Sequence, residues 1–100
     1  MASIEELPEP YVWRMPWDLP EGWQQQARCR GTDATIFFSP TYLEKREVRS
    51  TREANAKAFC TTCPVKTECL DFALATREPH GIWGGLNEIE RRAVLARRTG

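Results

Sequence analysis

Apolar residues recur at helical spacing through the second half of the chain. Val65, Cys69 and Phe72 follow one another at intervals of four and three residues, and neighbouring leucines and alanines widen the stripe. Pro64 precedes it, and proline is tolerated at the first position of a helix because its missing N–H would be unpaired there. The pattern therefore predicts a helix that begins at Pro64 and ends near Thr76, before the next proline.

Capping patterns predict a helix on either side of this stripe. Ser50 followed by Glu53 has the form of a capping box, in which each side chain accepts a hydrogen bond from the other residue's backbone N–H. Asn87 followed by Glu90 resembles a second cap, and the residues beyond it are amphipathic. The two caps predict helices over residues 51–60 and 88–97.

The first third of the chain has a weaker pattern. Four prolines within residues 1–20 prevent a stable helix, because each ring removes a backbone donor and restricts its predecessor. We expect a mobile, proline-rich tail there, whose aromatic residues could alternatively fold back onto the domain. Residues 21–28 are compatible with a short helix that carries Cys29 at its end. Beyond it, only residues 35–38 resemble a strand.

One hundred residues provide a single domain, which buries only about two-thirds of the surface that the unfolded chain exposes. The expected organisation is a flexible tail over residues 1–20 and an all-α domain of three or four short helices over residues 21–98. A core of this size usually needs a disulfide, a metal or a partner. The formal net charge is zero, so binding to nucleic acid would depend on a local basic patch.

The sequence also allows a prediction of where in the cell the protein is located. No run of about 18 apolar residues is present, and the N-terminus lacks the basic and apolar regions of a signal peptide. We therefore expect no membrane association and a cytoplasmic location, where thiols stay reduced. Under those conditions four cysteines favour metal binding over cross-linking.

The cysteines are the strongest candidates for chemistry: Cys29, Cys60, Cys63 and Cys69. A C-x2-C pair at a helix junction directs two sulfurs toward a common centre. Four-thiolate zinc sites usually contain two such pairs, whereas this chain has only one. That asymmetry, with a proline directly after a ligand, favours a [4Fe-4S] cluster. Zinc, structural disulfides and unrelated buried thiols stay open as alternatives.

Three stretches together resemble the WhiB-like family of actinobacterial transcription regulators. They are the cysteine spacing, the turn Gly81-Ile82-Trp83-Gly84-Gly85 with a basic C-terminal end, and Cys29-Arg30-x2-Asp33-x3-Phe37-Phe38. The similarity extends over about residues 23–98. It implies a [4Fe-4S] cluster that is sensitive to oxygen and nitric oxide and is held by Cys29, Cys60, Cys63 and Cys69.

The resemblance also implies two macromolecular partners. Family members bind the C-terminal region of the primary sigma factor of RNA polymerase with residues that correspond here to Trp23, Phe37, Phe38, Trp83, Gly81, Gly84 and Gly85. A basic end that contacts promoter DNA corresponds to Arg91, Arg92, Arg97 and Arg98. The alternatives are core packing for the aromatic rings and a solvated helix end for the arginines.

We do not expect an enzyme or a small-molecule substrate, because no Ser/His/Asp set, carboxylate pair or phosphate-binding loop is visible. Two alternatives to a regulator are kept. One is an apo-form protein disulfide reductase that uses Cys60 and Cys63, although the βαβ surroundings of such a site are lacking. The other is a structural zinc-binding interaction module.

Overall fold

The computed structural model describes residues 4–29, 34–40 and 43–99. Three α-helices form its framework: α1, Arg46–Thr61; α2, Lys66–Thr76; and α3, Glu88–Thr99. Short 3-10 turns precede them: Ile4–Glu6, Pro16–Asp18, Trp23–Gln26 and Ala34–Phe37. Within these residues the only strand-like feature is an isolated bridge between Trp83 and Leu86, so the all-α class is confirmed and the strand candidate at residues 35–38 is wrong.

Helix α1 begins at Arg46, about one turn earlier than the capping pattern predicted. Ser50 consequently lies inside the helix and does not cap it. Glu53 instead accepts hydrogen bonds from Arg49 Nε at 3.1 Å and from Asn87 Nδ2 at 3.0 Å. The first of these contacts is an i,i+4 ion pair, which supports the additional turn.

Helix α2 begins at Lys66, so Pro64 lies in the preceding turn and not at the first helical position. The helix ends at Thr76, as predicted. Arg77 then adopts a left-handed conformation with φ of 54°, and the N–H of the next residue donates to the Ala73 carbonyl at 2.9 Å. This is a Schellman-type ending, which pairs carbonyls that would otherwise lack partners.

The predicted cap of α3 is confirmed in both directions. The Glu90 N–H donates to Asn87 Oδ1 at 2.8 Å, and the Asn87 N–H donates to Glu90 Oε1 at 2.8 Å. Glu90 also forms an ion pair with Lys57 of α1 at 2.8 Å, while the Asn87 amide reaches Glu53. The cap therefore joins the start of α3 to the side of α1.

The N-terminal segment, residues 4–20, is folded back onto the domain, which was the alternative to a mobile tail. Tyr11 Oη donates to one oxygen of the buried Asp71 carboxylate, and Arg14 Nε donates to the other at 2.7 Å. A buried carboxylate is costly unless it is paired and hydrogen-bonded. Asp71 therefore fastens the segment to α2.

Two faces of α2 pack against different surroundings. One face belongs to a buried cluster that we call the helical core: Leu70, Leu74, Leu86 and Val94. Its residues come from α2, α3 and the turn between them, and the N-terminal segment covers it. The opposite side, which we call the thiol side, combines two smaller clusters. The first consists of Leu19, Trp23 and Val65, with Cys63, Cys69 and Phe72 packed against it. The second consists of Phe37, Ala56, Cys60 and Ile82. The candidate site lies on the thiol side.

Candidate metal centre

All four cysteines are free thiols and line one cavity of about 200 Å³. Cys29 follows the turn Trp23–Gln26, Cys60 lies in the last turn of α1, Cys63 lies in the α1–α2 connection, and Cys69 lies in α2. The fold thus brings together every cysteine that the sequence singled out. No disulfide joins any two of them.

The turn before Cys29 is positioned by an aromatic side chain. Trp23 is buried next to Val65, and its ring lies 5.7 Å from the ring of Phe72 on α2. The helix predicted over residues 21–28 is replaced by this short 3-10 turn. Burial of a large ring, and not helix propensity, therefore places Cys29 beside α2.

The C-x2-C pair lies at a helix junction, as predicted. The Cys63 N–H donates to the Cys60 carbonyl at 3.1 Å, which closes a tight turn directly after α1. The Lys66 N–H donates in turn to the Cys63 carbonyl at 3.3 Å, and the Cys69 N–H donates to Val65 at 2.9 Å. These local hydrogen bonds determine how three of the four thiols are presented to the cavity.

The rest of the cavity wall is largely apolar. Its members are Ala27, Phe37, Phe38, Phe59, Ile82, Trp83 and Gly84, together with Lys66. Lys66 is the one charged side chain among the described residues that line the cavity. Because charges interact more strongly in surroundings of low polarity, this lysine would act strongly on an anionic group held by the thiols.

Burial is the main reason that the pKa of Cys69 is raised to about 12, and the three other thiols raise it further. Burial also raises the pKa of Cys60. Hydrogen bonds from the backbone of Gly84 to Cys69 and of Gly85 to Cys60 act in the opposite direction and lower both pKa values. Thiols in such a site become thiolates readily only when a positive centre compensates for the burial.

The glycine turn owes its position to a close backbone approach. Gly84 has a φ of 58°, and a Cβ atom there would lie only 2.5 Å from Leu70 Cβ on α2. The absence of a side chain lets the turn lie directly against the helix. That contact brings the backbone of Gly84 to Cys69 and the backbone of Gly85 to Cys60.

The aromatic residues assigned to partner contact divide into two groups. Trp23 and Phe37 are buried, so both belong to the core, as the alternative interpretation had it. Phe38 is 43% exposed, and Trp83 is half-buried with its ring stacked at 6.0 Å on Phe72. Phe38 also packs over Gly81, where a Cβ atom would come within 2.5 Å of its ring.

The C-terminal arginines divide in the same way. Arg91 is only 2% exposed and donates to backbone carbonyls of residues 78–86, so its assignment to DNA contact is corrected. Arg92 and Arg97 are exposed, and Arg97 lies 4.0 Å from a carboxylate oxygen of Glu9. The side chain of Arg98 lies outside the described part of the structure.

Sequence reasoning missed three residues that shape the site. Phe72 contacts the tilted ring of Trp23 and the stacked ring of Trp83, and Lys66 lines the cavity. Asp71 anchors the N-terminal segment through Arg14 and Tyr11. The available signal for Asp71 was a carboxylate in the middle of an apolar helical stripe, since such a residue needs a partner.

Two features are absent from residues 4–29, 34–40 and 43–99. No three histidine, cysteine or carboxylate side chains in these ranges form a group that could hold one metal ion. None of the helices there is long and apolar enough to cross a membrane.

Comparison with known proteins gives a consistent result. The family model described as Transcription factor WhiB matches residues 23–94. Transcriptional regulator WhiD of Streptomyces coelicolor is 46% identical over 97% of this chain and 80% of its own length. Redox-responsive transcriptional regulator WhiB3 of Mycolicibacterium smegmatis is 47% identical over 97% of this chain and 94% of its own.

A third relative, the redox- and pH-responsive transcriptional regulator WhiB3 of Mycobacterium tuberculosis, is 41% identical over 95% of this chain and 86% of its own length. The family model and these relatives extend over the four cysteines and the glycine turn. The chain belongs to the WhiB family of transcription factors.

Proposed function

We propose that this chain is a redox- or nitric-oxide-responsive transcription regulator that holds a [4Fe-4S] cluster through Cys29, Cys60, Cys63 and Cys69. The observation that carries the proposal is that all four free thiols line one cavity. Two relatives have names that describe redox-responsive transcription regulators, which supports the same function here.

The donor chemistry of the cavity suits such a cluster. Thiolates are the usual ligands of iron–sulfur clusters, and hydrogen bonds to sulfur and solvent exposure determine the cluster's reduction potential. Here Gly84 and Gly85 provide backbone hydrogen bonds to two sulfurs, aromatic rings limit the access of water, and Lys66 adds a positive charge. When bound, the cluster would supply a centre that gains or loses an electron and reacts with oxidants.

The two alternatives fit the site less well. A single zinc ion requires four sulfurs at about 2.3 Å from one point, whereas a multinuclear cluster accepts thiolates that are distributed around a cavity. A dithiol reductase requires a thiol whose pKa is lowered. Burial instead raises the pKa of Cys60, one member of the C-x2-C pair.

The second part of the proposal is a docking surface for the C-terminal region of the primary sigma factor. Phe38 and Trp83 both line the thiol cavity, and both retain exposed surface. Tryptophan is among the most frequent anchors of protein interfaces. Because these rings also form the cavity wall, a change at the cluster would alter the shape of the docking surface.

Promoter contact would come from the exposed arginines of α3. Arg92 has no ion pair with the described residues, and Arg97 has only a long contact to Glu9. Phosphate contacts of this kind add affinity that falls with salt concentration, and they position a protein without reading bases. We assign DNA contact to Arg92, Arg97 and Arg98, and no longer to Arg91.

The test combines cluster content with sigma binding. The chain is purified under anaerobic conditions with the C-terminal region of the primary sigma factor, and iron, sulfide and the visible spectrum are measured. We expect about four irons and four sulfides per chain, as a [4Fe-4S] cluster requires. Stoichiometric zinc in a colourless protein would contradict the cluster assignment.

A matched pair of tryptophan variants tests the docking surface. Trp83→Ala should weaken sigma binding at least tenfold, the loss typical of an interface anchor, while the cluster absorbance is retained. Trp17→Ala removes a ring that is 77% exposed and does not line the cavity, and it should leave affinity unchanged. Equal affinities of the two variants in calorimetry would refute the assignment of Trp83.

A further inference from the structure

Arg91 is a buried cation that makes no ion pair with the described residues and is satisfied largely by backbone carbonyls. Its Nη1 donates to the carbonyl of Gly81 at 2.6 Å and to the carbonyl of Leu86 at 2.9 Å. Its Nη2 donates to Glu78 at 3.0 Å and to His80 at 3.3 Å. One guanidinium thus gathers carbonyls from both ends of the loop formed by residues 78–86.

Other contacts fix this loop as well: the Ile82 N–H donates to the Phe37 carbonyl at 2.8 Å, and Gly84 lies against Leu70 of α2. The Trp83 N–H donates to the Leu86 carbonyl at 3.0 Å, and the Leu86 N–H donates back at 3.1 Å, which closes the small turn around the glycines. At its base, the Gly81 N–H donates to Glu88 Oε2 at 2.9 Å. Arg91 connects the base and the closing residue of the turn through a single side chain.

The turn that Arg91 holds is the one whose backbone reaches the thiols. Gly84 donates to Cys69 and Gly85 to Cys60. Gly85, with a φ of 85°, precedes Leu86, whose carbonyl is bound by Arg91. A shift at Leu86 would therefore be transmitted along one residue to the hydrogen bond on Cys60.

We propose that Arg91 is a positioning residue: its four carbonyl contacts hold the glycine turn so that the amides of Gly84 and Gly85 point at the cluster ligands Cys69 and Cys60, and this raises the cluster's reduction potential. The inference rests on the proposed function, because it presumes a bound cluster. Amide donors disperse negative charge on sulfur and so favour the more reduced, more negative state.

Arginine is required for this role because of its shape. The planar guanidinium presents five donors in a rigid fork, and two of its nitrogens here serve four acceptors. Lysine keeps the positive charge but has a single nitrogen, which cannot span the same carbonyls. Arg91→Lys therefore separates the positioning effect from the electrostatic effect of the charge.

The experiment compares Arg91→Lys with Arg92→Lys in anaerobically purified holoprotein. Arg92 is adjacent and exposed, so its replacement controls for any change of arginine to lysine in α3. We expect the midpoint potential of the cluster to become more negative in Arg91→Lys only. The Gly84 and Gly85 amides should exchange their hydrogens at least tenfold faster in that variant, because the turn opens locally.

Equal potentials and equal amide exchange in the two variants would overturn the inference. If Arg91→Lys does not fold, exchange of the wild-type Arg91 guanidinium protons decides: slow exchange supports the four contacts, and exchange at the rate of a free arginine overturns them. A wild-type protein without a cluster would contradict the proposed function instead. In that case, faster hydrogen exchange of the Gly84 and Gly85 amides in Arg91→Lys than in Arg92→Lys would still show that Arg91 holds the turn.

Discussion

The helical core and the thiol side share α2 but are held together differently. Leu70 and Leu74 are buried against α3, and a buried carboxylate beside them is fully paired with the N-terminal segment. On the other side of the same helix, Cys69 lines a cavity walled by thiols and aromatic rings, and Phe72 packs against the buried cluster beside it. We infer that apolar burial closes the first side, whereas metal–thiolate bonds close the second.

The N-terminal segment contacts both sides, which makes the difference measurable within one stretch of chain. The segment is fastened to α2 by Tyr11 and Arg14. The residues that follow it lead to Cys29, an exposed residue whose approach to the cavity follows the buried Trp23. Loss of a cluster should therefore loosen the Cys29 end while the Tyr11 end stays attached.

The largest expected effect comes from removing a ligand on the thiol side. Cys63→Ala should abolish iron retention, because three thiolates leave one iron of the cluster without a protein ligand. Cys29 should then react faster with an alkylating reagent, while the helical circular dichroism is largely kept. Iron analysis and mass spectrometry of the alkylated chain measure both effects.

Thr62→Ala is the control for this prediction, because Thr62 is exposed and adjacent to Cys63 but does not line the cavity. It should retain iron at the wild-type level. Normal iron content in Cys63→Ala would show that the thiol side does not depend on this ligand.

The next effect is on the helical core. Leu74 is 1% exposed, so Leu74→Ala should reduce the free energy of unfolding by about 2–5 kcal/mol, through lost burial and the cavity that remains. Iron per folded chain should not change, since Leu74 does not line the thiol cavity. Urea unfolding of the holoprotein and iron analysis measure the two quantities.

Leu43 provides the matched control for Leu74. It is 98% exposed, and Leu43→Ala should change the unfolding free energy by no more than about 0.5 kcal/mol. A parallel loss of iron and stability in Leu74→Ala would mean that the two sides are not separable.

The smallest effect concerns the attachment of the N-terminal segment. Burial and the hydrogen bond to Asp71 raise the pKa of Tyr11 above its ordinary value of 10.0. Above about pH 10 the unfolded chain releases the Tyr11 proton while the folded chain keeps it, so stability falls as pH rises toward the folded pKa. Below pH 10 the contribution of Tyr11 is fully present.

Tyr11→Phe should therefore cost about 1.5–3 kcal/mol at pH 7, the usual net value of a hydrogen bond to a charged group, and the stability of the variant should fall less steeply between pH 10 and 11 than that of the wild type. The Arg14 contact to Asp71 remains in this variant. Thermal unfolding across that pH range measures the difference in slope. Identical slopes would mean that Tyr11 titrates alike in both states.

Local patterns were enough to predict part of this architecture. The cap at Asn87 and the end of α2 near Thr76 depend on residues within a few positions of one another. The start of α1 did not follow from such a pattern, because Glu53 pairs with Arg49 and with the distant Asn87 instead of capping at Ser50. Element type was thus more predictable than element boundary.

The sequence alone was enough to identify four cysteine donors with one C-x2-C pair and glycines dense enough for a sharp turn. It also carried a family resemblance that the comparisons confirm. The contacts of the folded chain were needed to show that Arg91 is buried and binds carbonyls, and that Asp71 fastens a distant segment. Spacing along a chain specifies local hydrogen bonds. Burial and pairing of charges depend on which remote residues the fold brings into contact.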